Sequence, residues 1–319
     1  KFLYEQIMKI NKPKFWDYKK INFLSLFLLP FTIFLHLINF FKKIYKAPKI
    51  GKIKTLCIGN IYLGGTGKTP LAIEFFLLLK KLKYKPVFIK KYYKDQIDEQ
   101  NLLKKYGKLL CEKKRIYALK KAAIEGKNVA ILDDGLQDKN LSHDLSIVCF
   151  NVNNWIGNGQ LLPAGPLREG VKSLIKYDCV FLTGNGENSD NIKKIIKKIN
   201  SKIKIFEAYY GAANIKKFSR KNKYLIFSGI GNPDSFKKTI IKNKMKILKT
   251  LVYPDHYNYT NKDIKEIKDS AKKLNTKIIT TEKDYLRLSK RQSKNINFFK
   301  VKLIIQNKRK LIKFLENIL

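Results

Sequence analysis

The chain reads as an α/β protein: a P-loop NTPase-like parallel sheet domain with an N-terminal membrane-surface helix and a second, smaller α/β domain. Three observations predict this. Short β-rich runs alternate with helical stretches, the pattern of a parallel sheet covered on both faces. A glycine-rich loop, "GNIYLGGTGKTP" from Gly59 to Pro70, stands between one such run and a helix. An apolar stretch from Ile21 to Phe41 precedes both.

That stretch, "INFLSLFLLPFTIFLHLINFF", holds 21 residues without a charge and is flanked by Lys19-Lys20 and Lys42-Lys43. Its length would allow it to span a bilayer. Its polar members Asn22, Ser25, Thr32, His36 and Asn39, however, recur at spacings that put them on one narrow helical stripe. A striped helix suits the membrane interface, or docking on its own domain, better than crossing lipid alone. Pro30, on the opposite side, is expected to kink it. No small-residue cleavage site follows, which argues against a removed signal peptide. Residues 1–45 are therefore expected to form a membrane-surface anchor; a spanning helix is the second reading and a buried core helix the third.

Strand–helix alternation begins after the anchor. "KTLCIGN" is a short apolar run, the Gly-rich loop follows, and "PLAIEFFLLLKKLKY" carries apolar residues at helical spacing behind Pro70, where a first-turn proline is tolerated. "PVFIK", "NVAILDD", "LSIVCFN" and "DCVFLTG" are further strands of a domain expected over 46–215. "KYLIFSGIGNP", "KILKTLVYPDHY", "KIITTEKD" and "INFFKVKL" supply those of a domain over 216–319. The Lys/Asn-rich stretch 211–223 is the expected junction, and no internal repeat of fixed period is present.

At 319 residues the chain has room for two domains. Its 67 Lys plus Arg against 25 Asp plus Glu give a formal net charge of +42, which favours anionic partners. The lysines are spread along the whole length rather than clustered, so the charge points to compositional drift and an acidic membrane surface, and no nucleic acid is expected as partner. Cys57, Cys111, Cys149 and Cys179 are far apart with no C-x-x-C pair, and three lie inside apolar runs, as reduced core cysteines do.

The chemistry centres on the loop, which offers Tyr62, Leu63, Gly64, Gly65, Thr66, Gly67, Lys68 and Thr69 to a nucleotide. The glycines let backbone N–H groups turn onto phosphate oxygens, Lys68 reaches the β- and γ-phosphates, and Thr69 can place its hydroxyl on Mg²⁺. Tyr62 stands where the usual motif has its first glycine. "NVAILDDG" ends a strand in Asp133-Asp134, the way a P-loop protein holds Mg²⁺ through a strand-end aspartate. "GNGQLLPAGPLREG", Gly157 to Gly170, is a long Gly/Pro-rich loop whose Arg168 can neutralise charge on a transferring phosphoryl group. Of three histidines, His256 in "YPDHYNYT" sits after a strand beside Asp255, where it can accept or orient a proton. His143 in "LSHDL" reads as an ordinary surface residue.

In order, GGTGKTP, LDDGLQ, GNGQLLPAGPLRE, GIGNP, YPDHY and TTEKD, behind an apolar N-terminal segment, resemble the tetraacyldisaccharide 4′-kinase family of lipid A biosynthesis over roughly Thr55 to Leu286. The resemblance implies ATP- and Mg²⁺-dependent transfer of the γ-phosphoryl group to the 4′-hydroxyl of an acylated glucosamine disaccharide 1-phosphate. It implies a peripheral enzyme at the cytoplasmic face of the inner, cytoplasmic membrane. Asp98 in "IDEQNLL" matches the family's acidic pair and would work with His256 on the acceptor hydroxyl; Lys68 and Arg168 would stabilise phosphoryl charge, and Thr69, Asp133, Asp134 and Glu169 would surround the metal. The chain departs from the family's Ser-Arg-Gly-Tyr-Gly-Arg stretch with "KKYYKDQ", Lys90 to Gln96, and has Asp138 where DDGLQ is usually followed by His. The rival class is a membrane-associated P-loop GTPase or ATPase acting as a switch, against which the chain lacks an Asn-Lys-x-Asp guanine-reading motif.

Overall fold

The structure is a computed structural model that describes residues 13–18, 20–41, 53–93, 96–138, 140–184 and 189–319. Lys19, Lys42-Lys43 and the expected boundary at 45/46 lie outside the described residues, as do the side chains of His36 and Asn39. The chain forms two compact units. One comprises residues 1–92, 106–209 and 305–319, the other residues 93–105 and 210–304.

In the first unit the strands are β1 (Lys54–Gly59), β2 (Pro86–Lys91), β3 (Leu109–Glu112), β4 (Val129–Asp133), β5 (Leu145–Asn151), β6 (Cys179–Thr183) and β7 (Lys204–Ala212). They form a parallel sheet in the order β7-β6-β5-β1-β4-β2-β3. β12 (Val301–Ile305), from whose last residue the chain rejoins this unit, lies at the β7 edge. Central strands β4 and β5 are buried at every position, so they read as continuous apolar runs rather than alternating ones. Val87, Ile89, Ala130 and Leu132 pack under the helix Arg115–Ile124, and Val148, Phe150, Val180 and Leu182 pack with Ile192 and Ile196 of the helix Ser189–Ile199. Each of these valine, leucine, isoleucine and phenylalanine side chains contributes about 1.5–3 kcal/mol on burial. Cys57, Cys149 and Cys179 belong to this core, and none of the four cysteines is in a disulfide.

The N-terminal helix, Phe23–Phe41, presents its faces in reverse of a soluble amphipathic helix. Ser25 and Thr32 are buried, at 0% and 5% exposed, while Phe23 and Phe27 are 81% and 66% exposed and Phe31, Ile33 and Phe34 stand out beside them. The polar stripe docks on the Gly157–Gly170 loop: Asn158 Nδ2 donates to Ser25 Oγ at 2.9 Å, and the Ala164 N–H donates to Thr32 Oγ1 at 3.2 Å. Just upstream, Trp16 is buried and its Nε1 donates to the Pro163 carbonyl at 3.0 Å. Gly157, at φ +60°, passes so close to the Trp16 carbonyl that a Cβ would lie 2.2 Å from it. Among the described residues no helix is long and apolar enough to cross a membrane.

The second unit is built on β8 (Lys223–Ser228), β9 (Lys246–Val252), β10 (Lys277–Thr281) and β11 (Ile296–Phe299), all parallel in the order β11-β10-β8-β9. Alternate residues of β8 face two clusters: Leu225 and Phe227 pack with Tyr259, Ile264 and Ile267, whereas Tyr224 and Ile226 pack with Phe236, Ile240 and Phe299. The run "INFFKVKL", read as one strand, is divided: β11 completes this sheet and β12 goes to the other. The helix Ile97–Lys104 joins this unit although it falls within the expected 46–215 domain. The physical reason is charge pairing, since its Asp98 and Glu99 bind Arg287 and Lys283 of the second unit.

Candidate active site

In the first unit, β1 ends at Gly59 and the loop closes over Asn60, which is buried and donates Nδ2 to the Gly64 carbonyl and to Thr66 Oγ1. Gly67, at φ +88°, turns the chain into the helix Lys68–Lys81, a left-handed conformation that glycine adopts without a Cβ clash. The helix begins at Lys68, two residues before Pro70, so Lys68 and Thr69 stand in its first turn with their N–H groups unpaired by the helix. Tyr62 is buried rather than open to a ligand. Its hydroxyl donates to Asp17 Oδ1 at 2.6 Å, and its backbone bridges Leu167. Leu63 N–H donates to the Pro166 carbonyl and Arg168 N–H to the Ile61 carbonyl, so the phosphate-loop candidate and the Arg168 loop are stitched together.

Asp133 closes β4, fully buried, and its Oδ2 accepts from Thr69 Oγ1 at 3.3 Å and from Lys90 Nζ at 2.8 Å. Its Oδ1 is buried with no partner. Asp134 follows at φ +59°, a conformation that a non-glycine residue holds only when its surroundings fix it. Those surroundings are cationic. Arg168 Nη1 lies 3.1 Å from Asp134 Oδ1, Lys68 Nζ lies 3.8 Å from the same atom, and Arg115 Nη2 donates to the Asp134 carbonyl at 2.6 Å. Burial pushes the Asp134 carboxyl up, but Arg168, Lys68, Lys90 and Arg115 hold it far below the usual carboxylate range. Arg115 also donates to Asp138 Oδ2 at 3.0 Å, which gives the residue standing in place of the family's histidine a structural partner.

Thr69, Asp133, Asp134, Lys68 and Arg168 are thus brought together. Glu169 is engaged elsewhere, accepting from Gln137 Nε2 at 3.1 Å, from the Tyr177 hydroxyl at 2.9 Å and from Lys176. Gln137 donates in addition to the Asn60 carbonyl, so Glu169 reaches the phosphate loop through an amide. Among the described residues no three His, Cys, Asp or Glu side chains form a metal-binding group.

In the second unit, Asp98 and His256 meet. Asp98 is 2% exposed; its Oδ1 lies 3.2 Å from His256 Nδ1 and its Oδ2 accepts from Arg287 Nη2 at 2.7 Å. His256 sits at φ +59°, its N–H held by the Asp255 carboxylate and the Gly229 carbonyl. Arg287 is a fork: Nη1 donates to Asp284 Oδ1 at 2.8 Å and to the Gly229 carbonyl at 2.7 Å. Asp284 further accepts from Gly229 N–H, the Tyr259 hydroxyl and Thr281 Oγ1. Burial raises the Asp98 carboxyl, yet the bond from His256 and the charges of Lys283 and Arg287 outweigh it and bring the pKa to about 2. His256 moves the other way: burial lowers it, but Asp98, Asp255 and Glu99 raise it above 6.5. An ionised Asp98 makes Nδ1 the protonated ring nitrogen and leaves the Nε2 lone pair open. The sequence assigns no role to Lys90, Arg115, Gln137, Arg287 or Asp284; Lys90 is marked locally as a lysine in an apolar strand run, and Gln137 and Asp284 by their places in LDDGLQ and TTEKD.

A Gly-rich strand–loop–helix turn at the carboxyl end of a parallel sheet, with an aspartate-ended strand beside it, defines a P-loop NTPase-like protein. The profile of the family described as Tetraacyldisaccharide-1-P 4'-kinase matches residues 24–319. A tetraacyldisaccharide 4'-kinase of Pelagibacter ubique is 52% identical over 306 residues, covering 95% of this chain and 96% of that protein, and one of Bartonella henselae is 31% identical over 299 residues, covering 88% and 87%. The chain belongs to the tetraacyldisaccharide-1-P 4'-kinase family, phosphotransferases of lipid A biosynthesis. The crystal structure of LpxK from Aquifex aeolicus in complex with ATP superimposes with a TM-score of 0.68 at 22% identity, over 92% of this chain and 99% of that one, so the two share a fold.

Proposed function

We propose that this chain transfers the γ-phosphoryl group of ATP to the 4′-hydroxyl of an acylated glucosamine disaccharide 1-phosphate at the cytoplasmic face of the inner membrane. The observation that carries the reading is the cluster of Lys68, Thr69, Asp133, Asp134 and Arg168 at the mouth of the Gly-rich loop, in a chain of this family. Lys68 and the open N–H groups of the first helical turn receive the phosphates, and Arg168 meets the charge that develops on the transferring group. Mg²⁺ fits this donor set, because the orphaned Asp133 Oδ1 and the Thr69 hydroxyl are the hard oxygens it takes; Thr69, Asp133 and Asp134 would hold it, with Glu169 acting through Gln137. When bound, the ion neutralises phosphate charge.

Acceptor activation falls to the second unit. Asp98, with both oxygens engaged and a pKa of about 2, is too weak a base for an alcohol, so it orients His256 by accepting from Nδ1. His256 Nε2 takes the proton from the hydroxyl as the phosphoryl group transfers. The exposed Phe23, Phe27, Phe31 and Phe34 face supports placing residues 1–45 in the membrane surface, where basic residues add about 1 kcal/mol each on an anionic leaflet. Purified protein incubated with ATP, Mg²⁺ and the acylated disaccharide in mixed micelles tests the assignment. Phosphorylated lipid is expected; equal ATP or GTP hydrolysis with and without the disaccharide, and no lipid product, would instead support a nucleotide switch.

A further inference from the structure

Lys90 occupies an unexpected position. It stands near the end of β2, a strand buried at all positions but its last, and is itself 2% exposed. An ammonium group is costly to bury without a partner. Its Nζ reaches Asp133 Oδ2 at 2.8 Å, both side chains shielded from water, and on that same oxygen Thr69 Oγ1 also rests. Of the two oxygens of the strand-end carboxylate, one is therefore claimed by a fixed cation of the protein and the other is left open.

We propose that Lys90 is a built-in counter-cation of the phosphate site, positioning Asp133 and letting nucleotide bind before the divalent metal does. This rests on the nucleotide and metal reading above. A dication brought to Asp133 must share the carboxylate with an ammonium it repels, so Lys90 weakens the metal's hold; the same positive charge attracts a triphosphate when no metal is present. Thr69, tied to Asp133 through the shared oxygen, is held in place at the helix start by the same arrangement.

The test measures a non-hydrolysable ATP analogue binding to the full chain in EDTA and in saturating Mg²⁺, and Mn²⁺ binding to the protein–analogue complex by electron paramagnetic resonance. Lys90→Met is expected to weaken analogue binding in EDTA by about threefold or more, with a smaller loss in Mg²⁺, and to tighten Mn²⁺ binding by about threefold or more. Lys90→Arg, which keeps the charge, should stay near the wild type in EDTA. If Lys90→Met does not fold, Lys90→Gln is read by the same criteria. Metal-free affinity unchanged in the uncharged variant, or Mn²⁺ bound no tighter, overturns the proposal. A wild-type chain that fails to bind the analogue even in Mg²⁺ refutes the nucleotide reading itself, and the proposal with it.

Discussion

Replacing Arg287 by Met removes the cation that two buried carboxylates share. In the wild type the guanidinium is 6% exposed, Asp98 2% and Asp284 0%, and three acceptors take its hydrogens at 2.7 to 2.8 Å. Breaking a buried pair from one side costs about 3–5 kcal/mol, because the remaining charge has neither water nor partner. At roughly 2–8 °C per kcal/mol, the unfolding midpoint should fall by about 6 °C or more at pH 7. The loss must also depend on pH. In the wild type, Asp98 has its pKa lowered to about 2, so its contribution is present above the unfolded value near 3.8 and disappears only as pH falls toward 2. In the variant burial acts against less opposition, both carboxyls shift upward, and the folded state binds protons more readily than the unfolded chain. Acid then stabilises the variant relative to neutral pH. Asp284 already shows the direction, since burial keeps its carboxyl above the usual value even with Arg287 in place. Circular dichroism melts of both proteins from pH 7 to pH 4 should show the gap narrowing. A midpoint difference below about 2 °C at pH 7, or one that stays constant with pH, would refute this account of the fork.

Three further outcomes are expected. The pH profile of kcat should rise through a pKa above 6.5, set by His256 losing its proton; Asp98→Asn should move that limb to lower pH and reduce kcat by about 10²–10⁴, and an unmoved limb would remove Asp98 from control of the base. Arg168→Met should lower kcat by about 10³ or more with nucleotide binding far less affected, as single-turnover and equilibrium measurements would separate; equal losses in both would make Arg168 a ground-state contact. Phe27→Ser with Phe31→Ser should reduce sedimentation with anionic vesicles by about tenfold or more, whereas Thr32→Val should cost about 1 kcal/mol of stability and leave vesicle binding unchanged. Retained vesicle binding in the double variant would move the membrane contact elsewhere.

What the sequence made legible was local. Gly64, Gly65, Gly67, Lys68 and Thr69 follow one another within a single turn, so spacing alone implies a loop and helix start. Strand runs such as "NVAILDD" are continuous because β4 is buried on both faces. Asp98 and His256 were linked through family resemblance, not through any spacing, since 158 positions separate them. Arg115 and Lys90, and Arg287 in its bond to Asp98, are illegible for the same reason: each reaches a carboxylate far away in the chain, and nothing beside it in sequence says which. The allotment of Ile97–Lys104 to the second unit was hidden likewise, because chain order places it among first-unit strands while its ion pairs do not. Left-handed backbone at Asp134 and His256 leaves no mark on composition, as either residue type is compatible with ordinary turns.

The reversed N-terminal helix has a practical consequence for handling this enzyme. Deleting the helix would strip the Ala164 amide and the Asn158 side chain of partners they have in the folded chain, on the loop that also bears Arg168. Deletion would therefore exchange one handling problem, an exposed apolar face, for another, a loosened Gly157–Gly170 loop. Recolouring the outer face, with polar residues at 23, 27, 31 and 34 and the inner stripe untouched, keeps every bond the loop makes to the helix and discards only the grease.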